Sequence, residues 1–220
     1  MGSTTKLADG GVRGRNAKVF KGGEDDDIIA GDSKQGRINA EAGDDLVDGK
    51  GGHDVIWGGS GNDIIYGQDG NDLLYGGDDN DLLLGEADDD ELYGEAGHDI
   101  LDGGQGNDIL SGGDGRDDLK GGWCLDVLEG GADDDRLEGE ANSDILIGGE
   151  GKDQIHGGGG DDILNGDAYT GNKKLEELRT LLIEAQAAAD MAGSTEIPTQ
   201  NTLSSNPIRI EAESMTLAGD

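Results

Sequence analysis

The sequence predicts an all-β parallel solenoid of about eight 18-residue coils, closed by a C-terminal amphipathic capping helix. Three observations carry this reading. Sixteen consecutive nonapeptides run from Gly22 to Asn165 with no insertion or deletion, among them GGSGNDIIY (58–66), GGQGNDILS (103–111) and GGGGDDILN (157–165). Position 1 is Gly in fifteen of the sixteen, Ala40 being the exception, and position 6 is Asp in fifteen, Gly36 being the gap. Position 8 is Ile, Leu or Val in all sixteen. A strict period this short marks units that cannot bury a core alone and must stack on their neighbours.

Each nonapeptide divides into a six-residue Gly/Asp-rich turn and a three-residue strand centred on position 8. In a strand the side chains alternate, so position 8 points one way and positions 7 and 9 the other. The column from Ile29, Ile38 and Val47 to Leu164 is the expected interior. Position 4 is Gly in nine repeats, Asp in four (Asp25, Asp79, Asp88, Asp133) and Asn once (Asn142). These residues tolerate a left-handed backbone, which predicts a turn with positive φ there; Lys34 and Cys124 are the misfits. The non-glycine choices recur 54 residues apart, as expected from duplication of a six-repeat block. Two half-coils per coil give two parallel sheets and a roll roughly 38 Å long at the spacing of about 4.8 Å between strands.

Composition narrows the function. Gly is 44 of 220 residues against 2 Pro, aromatics are 3%, and the net charge is −34. Nucleic acids and anionic membranes would repel such a chain. No apolar stretch approaches the length of a membrane span, and residues 1–21 carry five basic residues without the apolar core of a signal peptide. Charge is concentrated in the repeats: +4 in residues 1–21, −33 in 22–165 and −5 in 166–220. A period of 18 stacks Asp63, Asp81 and Asp99 on one rim and Asp54, Asp72, Asp90 and Asp108 on the other. Carboxylates about 5 Å apart repel and call for cations between them. Hard oxygen donors, with carbonyls freed by glycine turns, specify Ca²⁺ over softer metals. Eight turns per rim leave at most about seven inter-turn sites, or about fourteen ions, whose charge near +28 offsets most of the −33.

The pattern GGxGxDxUx in these repeats is similar to the nonapeptide of the RTX (hemolysin-type) calcium-binding family, whose fold is a parallel β-roll. The resemblance implies that each ion sits between successive turns on one rim, held by the position-6 Asp and by turn carbonyls. By motif position that role falls to Asp27, Asp45, Asp54, Asp63, Asp72, Asp81, Asp90, Asp99, Asp108, Asp117, Asp126, Asp135, Asp144, Asp153 and Asp162. At Gly36 the carboxylate is missing and the turn carries Lys34. The turn GGWCLD (121–126) keeps Asp126 but is otherwise irregular, and weak binding is expected there. The resemblance further implies a bacterial protein, export by a type I system and folding outside the cell.

The domain boundaries read as follows: an N-terminal lead-in over 1–21, the repeats over 22–166, a helical segment over 167–193, a Ser/Thr/Asn/Pro linker over 194–207, and the start of a truncated further domain over 208–220. Within 173–190 Leu175, Leu178, Leu182, Ala185 and Ala189 share one helical face, with Asn172 as N-cap and Gly193 as terminator. This helix is expected to cap the last coils, with a position across a sheet face or the binding of a partner as the alternatives. The stretch IRIEAESMTLAGD resembles the opening strand of carbohydrate-binding β-sandwich modules.

Trp57, Tyr75 and Tyr93 occupy position 9 at intervals of 18 and should form a ladder on an outer sheet face. Two readings stay open: a platform for sugars or a partner protein, or simple coverage, by cross-strand packing or by the 173–190 helix, which asks for less. His53, His98 and His156 lack zinc spacing and read as solvated. Cys124 reads as a drifted glycine, and no catalytic motif is present, so the chain is not expected to be an enzyme. The expected role is calcium binding by a secreted, structural or adhesive module that folds on Ca²⁺, its partners being calcium and a carbohydrate or cell surface. The alternative is the calcium-binding portion of an exported enzyme or toxin whose active domain lies elsewhere.

Overall fold

The computed structural model describes residues 18–166, which form seventeen strands numbered in chain order. The odd strands are β1 (Lys18–Gly23), β3 (Gly36–Ala42), β5 (Val55–Ser60), β7 (Leu73–Asp78), β9 (Glu91–Ala96), β11 (Ile109–Asp114), β13 (Val127–Ala132), β15 (Ile145–Glu150) and β17 (Ile163–Asn165). They form one nine-stranded sheet in that order. The even strands are β2 (Ile28–Ala30), β4 (Leu46–Asp48), β6 (Ile64–Asp69), β8 (Leu82–Ala87), β10 (Ile100–Gln105), β12 (Asp118–Trp123), β14 (Arg136–Ala141) and β16 (Gln154–Gly159), and they form an eight-stranded sheet. Every pairing is parallel, as in Ile56↔Leu74 and Ile65↔Leu83, so each residue lies beside the one 18 positions on. This is the two-sheeted solenoid that the period predicts.

The position-8 column is the core. From Ile29 to Leu146 these side chains are no more than 1% exposed and form one continuous cluster, with Ile155 and Leu164 partly buried at the C-terminal end. The roll starts before the first nonapeptide. Strand β1 pairs with β3, and Phe20, opposite Ile38, fills the next place in the column. The lead-in therefore contributes a strand where the sequence pattern alone showed none.

Strand length departs from expectation. Fourteen of the seventeen strands have six or seven residues rather than three. All of these but β1, which ends at position 2, continue past position 9 through positions 1–3 of the next repeat, which confines the turn proper to positions 4–6. Pairing skips position 1 and resumes at positions 2 and 3, as in Gly59↔Gly77 and Ser60↔Asp78. What permits this is a second left-handed residue at position 2, where Glu41, Lys50, Gln68, Glu86, Glu95 and Glu140 have φ between 75° and 81°. The positive φ expected at position 4 is found at Asp79, Asp88, Asp133 and Asn142, and also at Cys124 (φ 82°); Lys34 avoids it, and so, against expectation, does Asp25 in the first turn.

The helix expected over 173–190, the linker over 194–207 and the segment 208–220 lie outside the described residues. Among the described residues no helix is long and apolar enough to cross a membrane.

Candidate metal centres at the turns

The fold places the fourteen position-6 aspartates from Asp45 to Asp162 in two rim ladders with one repeated geometry. Oδ1 of each accepts the backbone N–H of the position-6 residue one coil earlier: Asp45 from Asp27 at 2.6 Å, Asp63 from Asp45, Asp81 from Asp63 and Asp99 from Asp81, each at 2.8 Å. On the opposite rim Asp54 accepts from Gly36 at 2.5 Å, Asp72 from Asp54 and Asp90 from Asp72 at 2.7 Å, and Asp108 from Asp90 at 2.8 Å. The ladders continue through Asp117, Asp126, Asp135, Asp144, Asp153 and Asp162 at 2.8–3.1 Å. The stacking that the period implied is therefore present. The turn at Gly36 offers no carboxylate, though its N–H still feeds Asp54. The irregular turn 121–126 keeps the same bonds, with Asp126 accepting from Asp108 and donating its N–H to Asp144. Asp27 is buried at the N-terminal end of its rim.

The second carboxylate oxygen identifies the site. Oδ2 of Asp45, Asp54, Asp63, Asp72, Asp81, Asp90, Asp99, Asp117, Asp135, Asp144 and Asp153 is buried and has no hydrogen-bond partner. A buried anionic oxygen with no compensating donor costs several kcal/mol, so this repetition is unstable unless a cation meets it. Position 1 is Gly for the same reason. From Gly58 to Gly157 an added Cβ would stand less than 3.0 Å from the Oδ2 of the aspartate five residues on. Beside Gly58 the carbonyl oxygen of Gly76, one coil later, lies 2.8 Å from the same point, so carboxylate and carbonyl oxygens converge there. At Gly67 the pair is Asp72 Oδ2 and the Gly85 carbonyl. Among the described residues no three His, Cys, Asp or Glu side chains cluster as metal ligands. The donor set is mixed, one carboxylate with main-chain carbonyls, and this all-oxygen chemistry fits a hard divalent cation.

Burial governs the protonation of the ladder. Desolvation pushes Asp90 up to about 9, Asp81 and Asp144 up to about 8, and Asp63, Asp72 and Asp135 up to about 7. Neighbouring carboxylates add to the rise, and the backbone N–H on Oδ1 opposes it. Without a cation the folded roll therefore prefers to hold protons on its inner rims.

A second ladder, unforeseen from the sequence, runs at position 5 in the opposite direction. Asp44 Oδ1 accepts the N–H of Asn62 at 2.8 Å, Asn80 Oδ1 that of His98 at 2.9 Å, and Asp89 Oδ1 that of Asn107 at 2.8 Å. His53 and His98 belong to it. Their Nδ1 atoms accept the N–H groups of Asn71 and Arg116 at 2.8 and 2.7 Å, so they cap turns rather than merely face solvent. The signal was the run of Asp, Asn and His at position 5, residue types whose short polar side chains bond to nearby main chain.

Trp57, Tyr75 and Tyr93 do form the outer ladder. Their rings are stacked at 5.9 and 5.2 Å with interplanar angles of 3° and 16°, and the Arg37 guanidinium lies 4.9 Å from the Trp57 centroid. Both faces of Tyr75 and both faces of Trp57 are thus covered by neighbours within the sheet. That geometry favours cross-strand packing over a sugar platform.

No curated protein matches the chain. The family model for the RTX calcium-binding nonapeptide repeat, in four copies, matches seven overlapping segments: 21–56, 39–74, 48–83, 75–110, 102–137, 125–155 and 138–168. Its span, residues 21–168, coincides with the described strands. The chain belongs to the RTX family of calcium-binding nonapeptide repeats, folded as a parallel β-roll.

Proposed function

We propose that this chain is a calcium-gated folding module of a secreted protein, serving there as a structural or adhesive element. The observation that carries the reading is the row of buried, unpartnered Oδ2 atoms along both rims. In the unfolded chain those carboxylates are hydrated and far apart. Folding buries them beside one another, and the glycine-rich backbone adds a large ordering cost. Calcium, when bound, supplies the positive charge and the oxygen coordination that replace lost water. The residues that hold it are the position-6 aspartates, through Oδ2, with main-chain carbonyls such as that of Gly76. Oδ1 is already engaged by a backbone N–H, so an aspartate such as Asp81 links two coils and orients its second oxygen at once.

Ion binding by such a chain is folding free energy. Sites matched to extracellular calcium, about 10⁻⁴–10⁻³ M, would leave the chain open inside a cell and closed outside it. This supports export in an unfolded state. The chain's own work is then ion binding and shape rather than catalysis. The test is hydrodynamic radius in chelator against millimolar calcium. The reading requires contraction from an expanded chain to a compact rod with a midpoint in that range; a radius indifferent to calcium would defeat it.

A further inference from the structure

The irregular turn GGWCLD (121–126) departs from the repeat on the outer sheet face as well as at the rim. Position 3 is small or polar in fifteen of the sixteen repeats, and Trp123 alone puts a large apolar group there. It is 66% exposed, the most open large hydrophobic residue among the described ones. Neither the core column nor the rim carboxylates ask for an indole at that place. Position 2 is interrupted at the same point. Glu86 in β8 and Glu140 in β14 carry long side chains there, whereas β10 and β12 between them carry Gly104 and Gly122 (φ 100° and 112°). A groove of about 350 Å³ opens in this gap on the outer face of the eight-stranded sheet. Gly104 lies at its floor, with Leu84, Asp102 and Lys120 of position 9 on one side and Gln105 and Trp123 of position 3 on the other. Glu86 and Glu140 close its ends, their backbones about 14 Å apart at three strand spacings.

We propose that this groove binds a neutral pyranose sugar, one or two rings of a glycan, with Trp123 as the stacking platform. The inference rests on the adhesive role proposed above and gives that role a ligand class. The open indole offers a flat apolar surface to the C–H face of a pyranose, with a polar N–H at its edge. Trp57, by comparison, is covered on both faces within its own sheet. The lining of the groove mixes acceptors with donors. Glu86, Asp102 and Glu140 accept, Lys120 donates, and Gln105, paired with Trp123 across the sheet, does both. Sugar hydroxyls use both kinds of partner. Charge narrows the class further. Three carboxylates against one ammonium repel an acidic sugar. A cationic ligand is not called for, because Lys120 Nζ already stands 3.5 Å from both Asp102 Oδ2 and Glu140 Oε2. The volume is at the small end of the range for small-molecule sites. The groove draws on four neighbouring strands, β8, β10, β12 and β14, so it exists only when the coils are stacked. Sugar binding therefore depends on calcium through the fold.

The experiment uses the full chain carrying Trp57→Phe, in which Trp123 is the one remaining tryptophan, in saturating calcium. Cellobiose, maltose and lactose are titrated against its fluorescence, with glucuronate and cadaverine as the anionic and cationic controls. The expected result is a saturable shift in Trp123 emission with at least one disaccharide, none with glucuronate and a weaker one or none with cadaverine. By calorimetry on the otherwise wild-type chain, Trp123→Ala should lower the affinity for that disaccharide about tenfold or more, with the calcium-saturated circular dichroism spectrum unchanged. Asp102→Ala, on the opposite side of the groove, should weaken it severalfold. Silence with all three disaccharides would overturn the proposal, as would binding that survives both substitutions. A stronger response to cadaverine than to any sugar would overturn it too, because the groove would then be a cation site. The hydrodynamic radius, measured in parallel, keeps the two readings apart. Contraction in calcium without a sugar response defeats the groove alone, and a sugar response in a chain whose radius ignores calcium defeats the gating alone.

Discussion

Asp81 divides its carboxylate between two tasks: Oδ1 accepts the backbone N–H of Asp63 at 2.8 Å, and Oδ2 is buried without a hydrogen-bond partner. The two oxygens can be separated by mutation. Asp81→Asn retains an acceptor for the Asp63 N–H and removes the anionic donor. It should lower bound calcium by one or two ions, roughly the number of inter-turn sites one carboxylate can touch. Asp81→Ala also orphans a buried N–H and should cost a further 1–3 kcal/mol or so in the calcium-bound state. Calorimetric ion counts combined with thermal unfolding would distinguish the two variants.

The pH dependence follows from the same carboxylates. Their folded pKa values stand above the ordinary 3.8, at about 7 for Asp63, about 8 for Asp81 and about 9 for Asp90, because burial disfavours charge. A proton therefore favours the folded state of the calcium-free chain. That contribution is complete below about pH 4, where both states are protonated, and is lost as pH rises through 7 to 9. Calcium-free protein should gain β-structure on acidification toward pH 4–5 and lose it at pH 8–9. Calcium competes with those protons, so its affinity should weaken below about pH 6, where the proton-bound calcium-free roll begins to be populated.

Positions 1 and 2 of the repeat carry opposite expectations. Gly58→Ala sets a Cβ against Asp63 Oδ2 and the Gly76 carbonyl, and should cost about 1–3 kcal/mol along with a weakened site. Gln68 sits at φ 80°, where a side chain is strained, so Gln68→Gly should stabilise the calcium-bound roll by a fraction of a kcal/mol to about 1 kcal/mol. Calcium-saturated denaturant melts measure both. A destabilised Gln68→Gly would mean that the side chain makes contacts outweighing its backbone strain.

How much of this was legible depended on whether the cause was periodic in residue type. The column Ile56, Leu74, Leu92 and the rim Asp63, Asp81, Asp99 repeat the same residue class every 18 positions, so core, register and carboxylate stacking could be read directly. Position 2 could not. Its left-handed backbone is filled by Glu41, Glu86, Glu95 and Glu140 as well as by glycine, and glutamate gives no hint of positive φ. The extension of each strand through positions 1–3 was hidden with it. The meaning of the position-1 glycine was equally invisible, because the atom that excludes a Cβ at Gly58 is the side-chain oxygen of Asp63, known only once the turn closes. His53 and His98 are exposed, as expected, but their hydrogen bonds were hidden for a related reason. Their acceptors act on N–H groups one coil away, a tertiary relation that no local spacing displays.

The central claim is that calcium binding and folding are one event, and far-UV circular dichroism during a calcium titration, with magnesium as control, tests it most directly. Magnesium, smaller and more reluctant to shed water, suits a mixed carbonyl–carboxylate cage poorly. The account predicts a weak, disordered spectrum in chelator at pH 8 and a cooperative rise in β-signal at roughly 10⁻⁴–10⁻³ M calcium, with no rise in magnesium. A full β-spectrum already present in chelator at that pH would contradict it, because the rims would then be tolerating their buried charge without any cation.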